Sequence, residues 1–380
     1  MNKEKSSSPR VILIVNSHLK RRGNFGLRAA KICKELDKKN IQFYCLSRGG
    51  GNDKANYKDL LIFGIFARAL NYLRFKFVKN LNNRLIERLL FEWLVLKVLK
   101  KIDLFHTVVH LWEYSERLIR YIHNKGGKVV LEIPSVTQNY VEDLLKENKN
   151  LKLTFSKSQL CAETNCLRLA DFIITPSNFV LHYCNLVASH KRYAVVPFGF
   201  PQIKSPIKNK NLNKPLRLLF VGNVDVRKGI LVIIEALSQL HNIELNVRVL
   251  GRKGSVKKKL LYSDKRIDYL DFDDPEQHYL WADLFIFPSW CEGSAKVVYE
   301  AMSYSLPVIT TNASGSLVNH KQNGMIIDEG DASALAGFIR FFNSNRDNIS
   351  KYGQKAYKTS LSRTWDHYTT DVINIYREQF

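Results

Sequence analysis

The chain has 380 residues, 45% of them hydrophobic and 24% charged, a globular rather than a disordered composition and long enough for two domains. Its 58 basic and 35 acidic residues leave a net charge of +23, so an anionic partner is expected: acidic lipid, nucleic acid or a phosphorylated substrate. No apolar run approaches the roughly 20 residues that span a bilayer, and Met1 to Arg10 lacks the apolar core of an export signal.

The first strand is expected at Val11–Val15, followed by a Gly-bearing loop from Asn16 to Gly26 and a helix over 27–39. That order opens a doubly wound sheet. Further strands are expected at 41–46, 103–106, 128–133, 172–175 and 193–196, alternating with helices, so the sheet is read as mostly parallel. Between Ile65 and Lys101 lies a basic amphipathic region in which Arg68, Arg74, Lys76, Lys79 and Arg84 interleave with Phe, Leu and Trp. Such a helix lies flat on an acidic membrane surface at about 1 kcal/mol per cation, and equally fits a solvated basic face over a packed core.

Residues 201–215, rich in Pro, Lys and Asn, read as a linker between a first domain at 1–200 and a second at 216–362. The second restarts the pattern with a strand at 217–221, a helix at 230–240, strands near 246–250 and 267–270, and a short buried strand at Leu284–Phe287 ended by Pro288-Ser289. Glu292-Gly293-Ser294 is read as the opening of a helix, which puts Glu292 and Glu300 about 12 Å apart along one axis. A strand at 307–311 follows, and a last helix from Trp365 to Phe380. Six scattered cysteines without a C-x-x-C pair suit reduced thiols. Asp271-Phe272-Asp273 resembles a metal-holding Asp-x-Asp, but as an acidic turn before Pro275 it is read as a helix cap.

Several segments together carry a family likeness: Glu292 and Glu300 with seven residues between, after Pro288-Ser289 and before Ala301-Met302 and Pro307-Val308-Ile309; Phe220 to Gly229; Ala170 to Ser177; and Val195 to Gly199. The chain resembles the family 4 retaining glycosyltransferases, well over roughly 170–331 and loosely in the first third. The resemblance implies a GT-B fold: two Rossmann-like doubly wound parallel-sheet α/β domains facing across a cleft, with the tail at 363–380 crossing back to the first. It also implies transfer of a sugar from a nucleotide-sugar donor, bound mainly by the second domain, to a glycan or lipid-linked acceptor at the first.

By resemblance Lys228 steadies the leaving diphosphate, Glu292 touches the donor sugar and Glu300 the ribose, with Gly222, Gly293, Ser294 and Ala295 lining the donor. Where the family has an Arg, this chain has Asn223, and Arg227 is the candidate to stand in. Gly23 and Gly26 match the loop that meets diphosphate and acceptor. The family's usual His after the strand at 128–133 is missing, leaving Glu132 or Ser135 as candidates. No metal or other cofactor is expected, and no nucleic-acid partner, since no such motif is visible. The enzyme is placed in the cytoplasm at the inner face of the membrane, in polysaccharide or lipopolysaccharide biosynthesis. The competing readings are a basic nucleic-acid-binding protein and an inactive relative serving as a membrane scaffold.

Overall fold

The computed structural model describes residues 11–19, 25–51, 55–60, 83–147, 157–189, 191–203, 215–252, 254, 256, 264–271 and 273–378. The first domain is built from β1 (Val11–His18), α1 (Phe25–Lys38), β2 (Phe43–Gly49), β3 (Tyr57–Asp59), α2 (Asn83–Leu99), β4 (Val108–Leu111), α3 (Glu116–Asn124), β5 (Lys128–Glu132), α4 (Gln138–Glu147), α5 (Lys157–Leu169), β6 (Phe172–Thr175), α6 (Asn178–Ala188) and β7 (Arg192–Val195). Its seven strands are ordered β3-β2-β1-β4-β5-β6-β7, with every pairing parallel. The apolar runs of β1, β4 and β6 are buried because helices cover both faces of the sheet.

The second domain repeats the plan with β8 (Leu216–Val221), α7 (Ile230–Ser238), β9 (Leu245–Leu250), β10 (Ile267–Leu270), α8 (Pro275–Trp281), β11 (Leu284–Phe287), α9 (Lys296–Ser303), β12 (Val308–Thr311), β13 (Gly324–Ile327), α10 (Ala332–Ser344) and α11 (Asp347–Ser362). Its parallel order is β10-β9-β8-β11-β12-β13. In both sheets the strand order reverses at one place, between β1 and β4 and between β8 and β11, and crevices for ligands open there beyond the strands' carboxyl ends. A final helix, α12 (Trp365–Glu378), leaves the second domain and buries Tyr368, Val372, Ile373 and Tyr376 against Ala29, Ile32 and Leu36 of α1. The crossing is fastened where Phe200 N–H donates to Arg363 O at 2.9 Å and Arg363 Nη2 to Pro197 O at 2.7 Å.

Three expectations are corrected. Residues 103–106 are not a strand: Asp103 accepts the Phe105 amide at 3.0 Å and His106 takes φ 52°, so they form a turn, and Val108–Leu111 pairs with β1 instead. The second strand begins at Phe43, because Asn40 (φ 52°) turns the chain and Ile41 N–H still closes onto Leu36 O. The helix expected to open at Glu292 begins at Lys296, capped at Ala295. The short strands β3 and β13 and the helices α10 and α11 went unread. Of the linker, residues 204–214 lie outside the described residues, as do Gly23, Arg68, Arg74, Lys76 and Lys79. Arg84 lies in the first turn of α2, its side chain outside the description.

Candidate active site

The site is assembled where β8 and β11 end side by side. After Gly222 the chain makes one tight 3-10 turn, Val226–Lys228, capped by Asp225, whose Oδ1 accepts the Lys228 amide at 3.0 Å. Gly229 ends this turn at φ 82°, and a Cβ there would stand 1.9 Å from Pro288 O. Only glycine allows the turn to rest on the end of β11. Two bonds to Arg227 O then stitch the segments together, from Trp290 N–H at 2.9 Å and Ser289 Oγ at 3.1 Å.

This stitching brings Lys228 and Arg227 to one carboxylate. Lys228 Nζ pairs with Glu292 Oε1, and Arg227 Nη1 donates to the same oxygen at 2.7 Å and to Cys291 O at 2.6 Å. Glu292 Oε2 accepts nothing among the described residues. Burial works against the charge on Arg227, but the carboxylates of Glu292 and Asp225 more than offset it and hold the guanidinium above its usual range. Burial pushes the adjacent Cys291 thiol up to about 12, so it is no nucleophile.

Because α9 starts late, Glu292 sits in an open loop and Glu300 on the helix proper. The loop is held from both domains. Glu292 N–H donates to Ala313 O and Ala295 N–H to Ser314 O, both at 2.8 Å, which occupies the Ala295 amide. From the first domain, Tyr140 Oη donates to Trp290 O at 2.9 Å and Ser177 Oγ to Gly293 O at 2.8 Å. A Cβ on Gly293 would stand 2.0 Å from Pro134 O, so glycine is what lets the two domains close at this point. The N–H groups of Gly293 and Ser294 have no partner among the described residues and are donors ready for an anion. Ser294 Oγ donates to Tyr299 Oη at 3.0 Å. Asn223, in place of an Arg, is exposed at the end of β8.

Glu300 belongs to a separate set: its Oε2 accepts Tyr279 Oη at 3.0 Å and its Oε1 faces Lys296 Nζ at 2.8 Å. A cavity of about 270 Å³ adjoins the loop, lined by Phe25, Arg28 and Pro134 of the first domain, Ser294 and Lys296 of the second, and Trp365. Gly26 is buried in the first turn of α1 beside it. The acidic turn before α8 works as a cap: Asp274 Oδ1 accepts the Glu276 amide at 3.2 Å, and Asp273 accepts from Asp274 N–H and Gln277 Nε2.

Glu132 is not a sugar contact waiting to be filled. It is 2% exposed, paired with Arg28, accepts Tyr368 Oη at 2.9 Å and lies 3.2 Å from His110 Nε2. Burial alone would raise its pKa, but Arg28 and then His110 outweigh it and hold the carboxyl down at about 2. Sequence reasoning missed a second polar group at the carboxyl ends of β1, β2 and β4. Arg48 Nε donates to Asn16 Oδ1 at 2.5 Å and its Nη2 to Glu87 of α2 at 3.2 Å. Beside them the Glu113 carboxyl is pushed up to about 7 by burial, against the pull of Arg48 and Arg88. Placing β4 at Val108–Leu111 would have found it, since Glu113 then follows a strand end at the crevice.

Residues 215–343 match the family described as Glycosyl transferases group 1. A putative teichuronic acid biosynthesis glycosyltransferase, TuaC of Bacillus subtilis, is 27% identical over 265 residues, 64% of this chain and 63% of that protein. The capsular polysaccharide biosynthesis glycosyltransferase CapM of Staphylococcus aureus is 29% identical over 174 residues, 40% of this chain and 44% of CapM. The chain therefore spans less than two thirds of either relative. Among solved structures, Anabaena HepE in complex with UDP-glucose superposes with a TM-score of 0.64 at 15% identity, over 97% of this chain and 99% of that one. Sucrose-phosphate synthase of Thermosynechococcus elongatus superposes with a TM-score of 0.66 at 16% identity, over 98% and 99%. The fold is thus of the GT-B type: two parallel-sheet α/β domains.

Proposed function

From a GT-B fold whose second domain is of the glycosyl transferases group 1 type, we propose that this protein is a retaining glycosyltransferase of family 4. It moves a sugar from a nucleotide-sugar donor to a glycan or lipid-linked acceptor in building a cell-surface polysaccharide, the setting named for TuaC and CapM. The observation that carries the reading is the convergence of Lys228 and Arg227 on Glu292 at the reversal point of the second sheet.

In this reading the cations turn from Glu292 to the donor's diphosphate, and the Gly293 and Ser294 amides donate to its oxygens. The bond between the anomeric carbon and the phosphate oxygen breaks, and Lys228 and Arg227 stabilise the charge growing on the leaving group. The acceptor oxygen attacks from the same face, and its proton passes to the departing phosphate, so no protein base is required. Glu292 accepts hydrogen bonds from sugar hydroxyls, and Glu300 exchanges Tyr279 for the ribose. The acceptor enters by the first domain, past Gly26 and the cavity under Arg28. No metal takes part.

The test is a thermal-shift screen of the full chain with UDP-, GDP-, ADP- and CMP-sugars, joined to a donor-hydrolysis assay. HepE holds UDP-glucose, so that donor comes first. One nucleotide class should raise Tm and be turned over, and Lys228→Ala should cut turnover by about 10² to 10³ with the fold intact. A shift without turnover means a relative that has lost catalysis; no shift with any donor overturns the reading.

A further inference from the structure

A second and larger cavity, about 730 Å³, lies between the domains, with Ser177 of the Ser177–Gly293 contact in its wall. It is lined by residues at the ends of β6 and β7 in the first domain and of β12 and β13 in the second, and neither Lys228 nor Glu292 lines it. Its size is that of a ligand site. In a chain of which 24% is charged and whose net charge is +23, none of the seventeen lining residues is Asp, Glu, Lys or Arg.

Carboxamides and rings are prominent among its polar and aromatic lining. Asn178, Phe179 and His182 come from α6, and Asn312, Asn319 and Gln322 come from the connection between β12 and β13. The amides and imidazole are exposed to the cavity's solvent rather than folded into the core. Carboxamides offer paired donors and acceptors, which match vicinal hydroxyls, and ring faces match the C–H faces of a pyranose. No Lys or Arg lines this cavity to meet a phosphate, nucleotide or acidic sugar, whereas the first cavity offers Arg28 and Lys296.

We propose that this cavity binds an uncharged oligosaccharide, several residues of a neutral glycan, as a site distinct from the one where transfer occurs. Both domains contribute walls, so a bound chain bridges them at the edge of the cleft. The proposal rests on the transferase reading only in naming that chain as acceptor or product. Its test is therefore a binding measurement without donor.

Saturation-transfer NMR on the full chain, with maltotetraose, cellotetraose, mannotetraose and chitotetraose as neutral probes and tetragalacturonate as the anionic control, reads it directly. At least one neutral probe should bind while tetragalacturonate does not. Asn178→Ala with His182→Ala, and separately Asn319→Ala with Gln322→Ala, should each weaken that probe at least tenfold while donor hydrolysis stays unchanged. The proposal is overturned if none of the neutral probes binds, if the anionic probe competes equally, or if both double variants bind as the parent does. Oligosaccharide binding by a parent chain that hydrolyses no donor would instead count against the transferase reading alone.

Discussion

Glu292 is shared by two cations through a single oxygen, so under the proposed function the carboxylate is a placeholder for the donor's diphosphate. Removing the placeholder and removing a cation should therefore have opposite effects on nucleotide binding. Glu292→Gln leaves Lys228 and Arg227 without their anion, and UDP should bind as tightly as to the parent or tighter, while donor turnover falls by about 10² to 10³. Lys228→Ala removes a charge-assisted bond worth about 1.5 kcal/mol or more and should weaken UDP about tenfold. Calorimetric titration of both variants decides it, and weaker UDP binding by Glu292→Gln than by Lys228→Ala refutes the placeholder. These residues were legible in the sequence because each sits in a short motif beside a strand end. Glu113 was not, because no motif marks it and its strand was misplaced. Its folded pKa of about 7 lies above the ordinary 4.5, so the folded state holds the proton more tightly than the unfolded chain. Its contribution to stability is complete below about pH 4.5 and is lost as the pH climbs through 7. Tm should fall less between those pH values in Glu113→Gln than in the parent; identical slopes would place its titration elsewhere.

At the level of elements, the sheets were readable and their fastenings were not. Leu284–Phe287 and Phe172–Thr175 are apolar runs too short for a helix and bounded by Pro-Ser, so their strands follow from local pattern. Before α9 begins at Lys296, the Glu292 and Ala295 amides are held by the carbonyls of Ala313 and Ser314, far downstream, which fixes this stretch as a loop against the 3-10 turn that follows β12. No local signal carries that. The same holds for α12, readable as a helix but not as one tied to β5 and α1 through Glu132, Arg28 and Tyr368. That fastening is buried, and breaking one side of a buried ion pair costs about 3–5 kcal/mol because the other charge is stranded. Arg28→Met should destabilise the full chain by that amount in urea unfolding, whereas Arg28→Met with Glu132→Met should recover much of the loss. If the double variant is as unstable as the sum of the single ones, the pair is not the fastening. Acid should act like Arg28→Met: the Glu132 carboxyl is depressed, so its contribution is present above about pH 4.5 and lost as the pH falls towards 2.

For the whole molecule, +23 is more charge than the proposed diphosphate site can use, since Lys228 and Arg227 already meet Glu292 there. Among the described residues no helix is long and apolar enough to cross a membrane. Helix α2 offers a surface suited to contact with one. Leu89 is 52% and Trp93 44% exposed at i,i+4 spacing, and Lys97 reaches over the Trp93 ring at 3.6 Å, one turn further on. The arrangement puts an apolar stripe and a cation on one face, the pattern of a helix lying in a headgroup layer. Two forces are then separable. The cations at Arg68, Arg74, Lys76 and Lys79 would contribute about 1 kcal/mol each near an acidic surface, a term that salt screens. The Leu89 and Trp93 side chains would contribute by apolar burial, which salt does not weaken. In flotation with phosphatidylglycerol vesicles, Lys76→Glu with Lys79→Glu should abolish the salt-sensitive part of binding, and Leu89→Ser with Trp93→Ser the part that survives high salt. Equal binding to phosphatidylcholine vesicles, or full binding by both variants, would mean that α2 is only the solvated face of its domain and that the charge serves something other than a membrane.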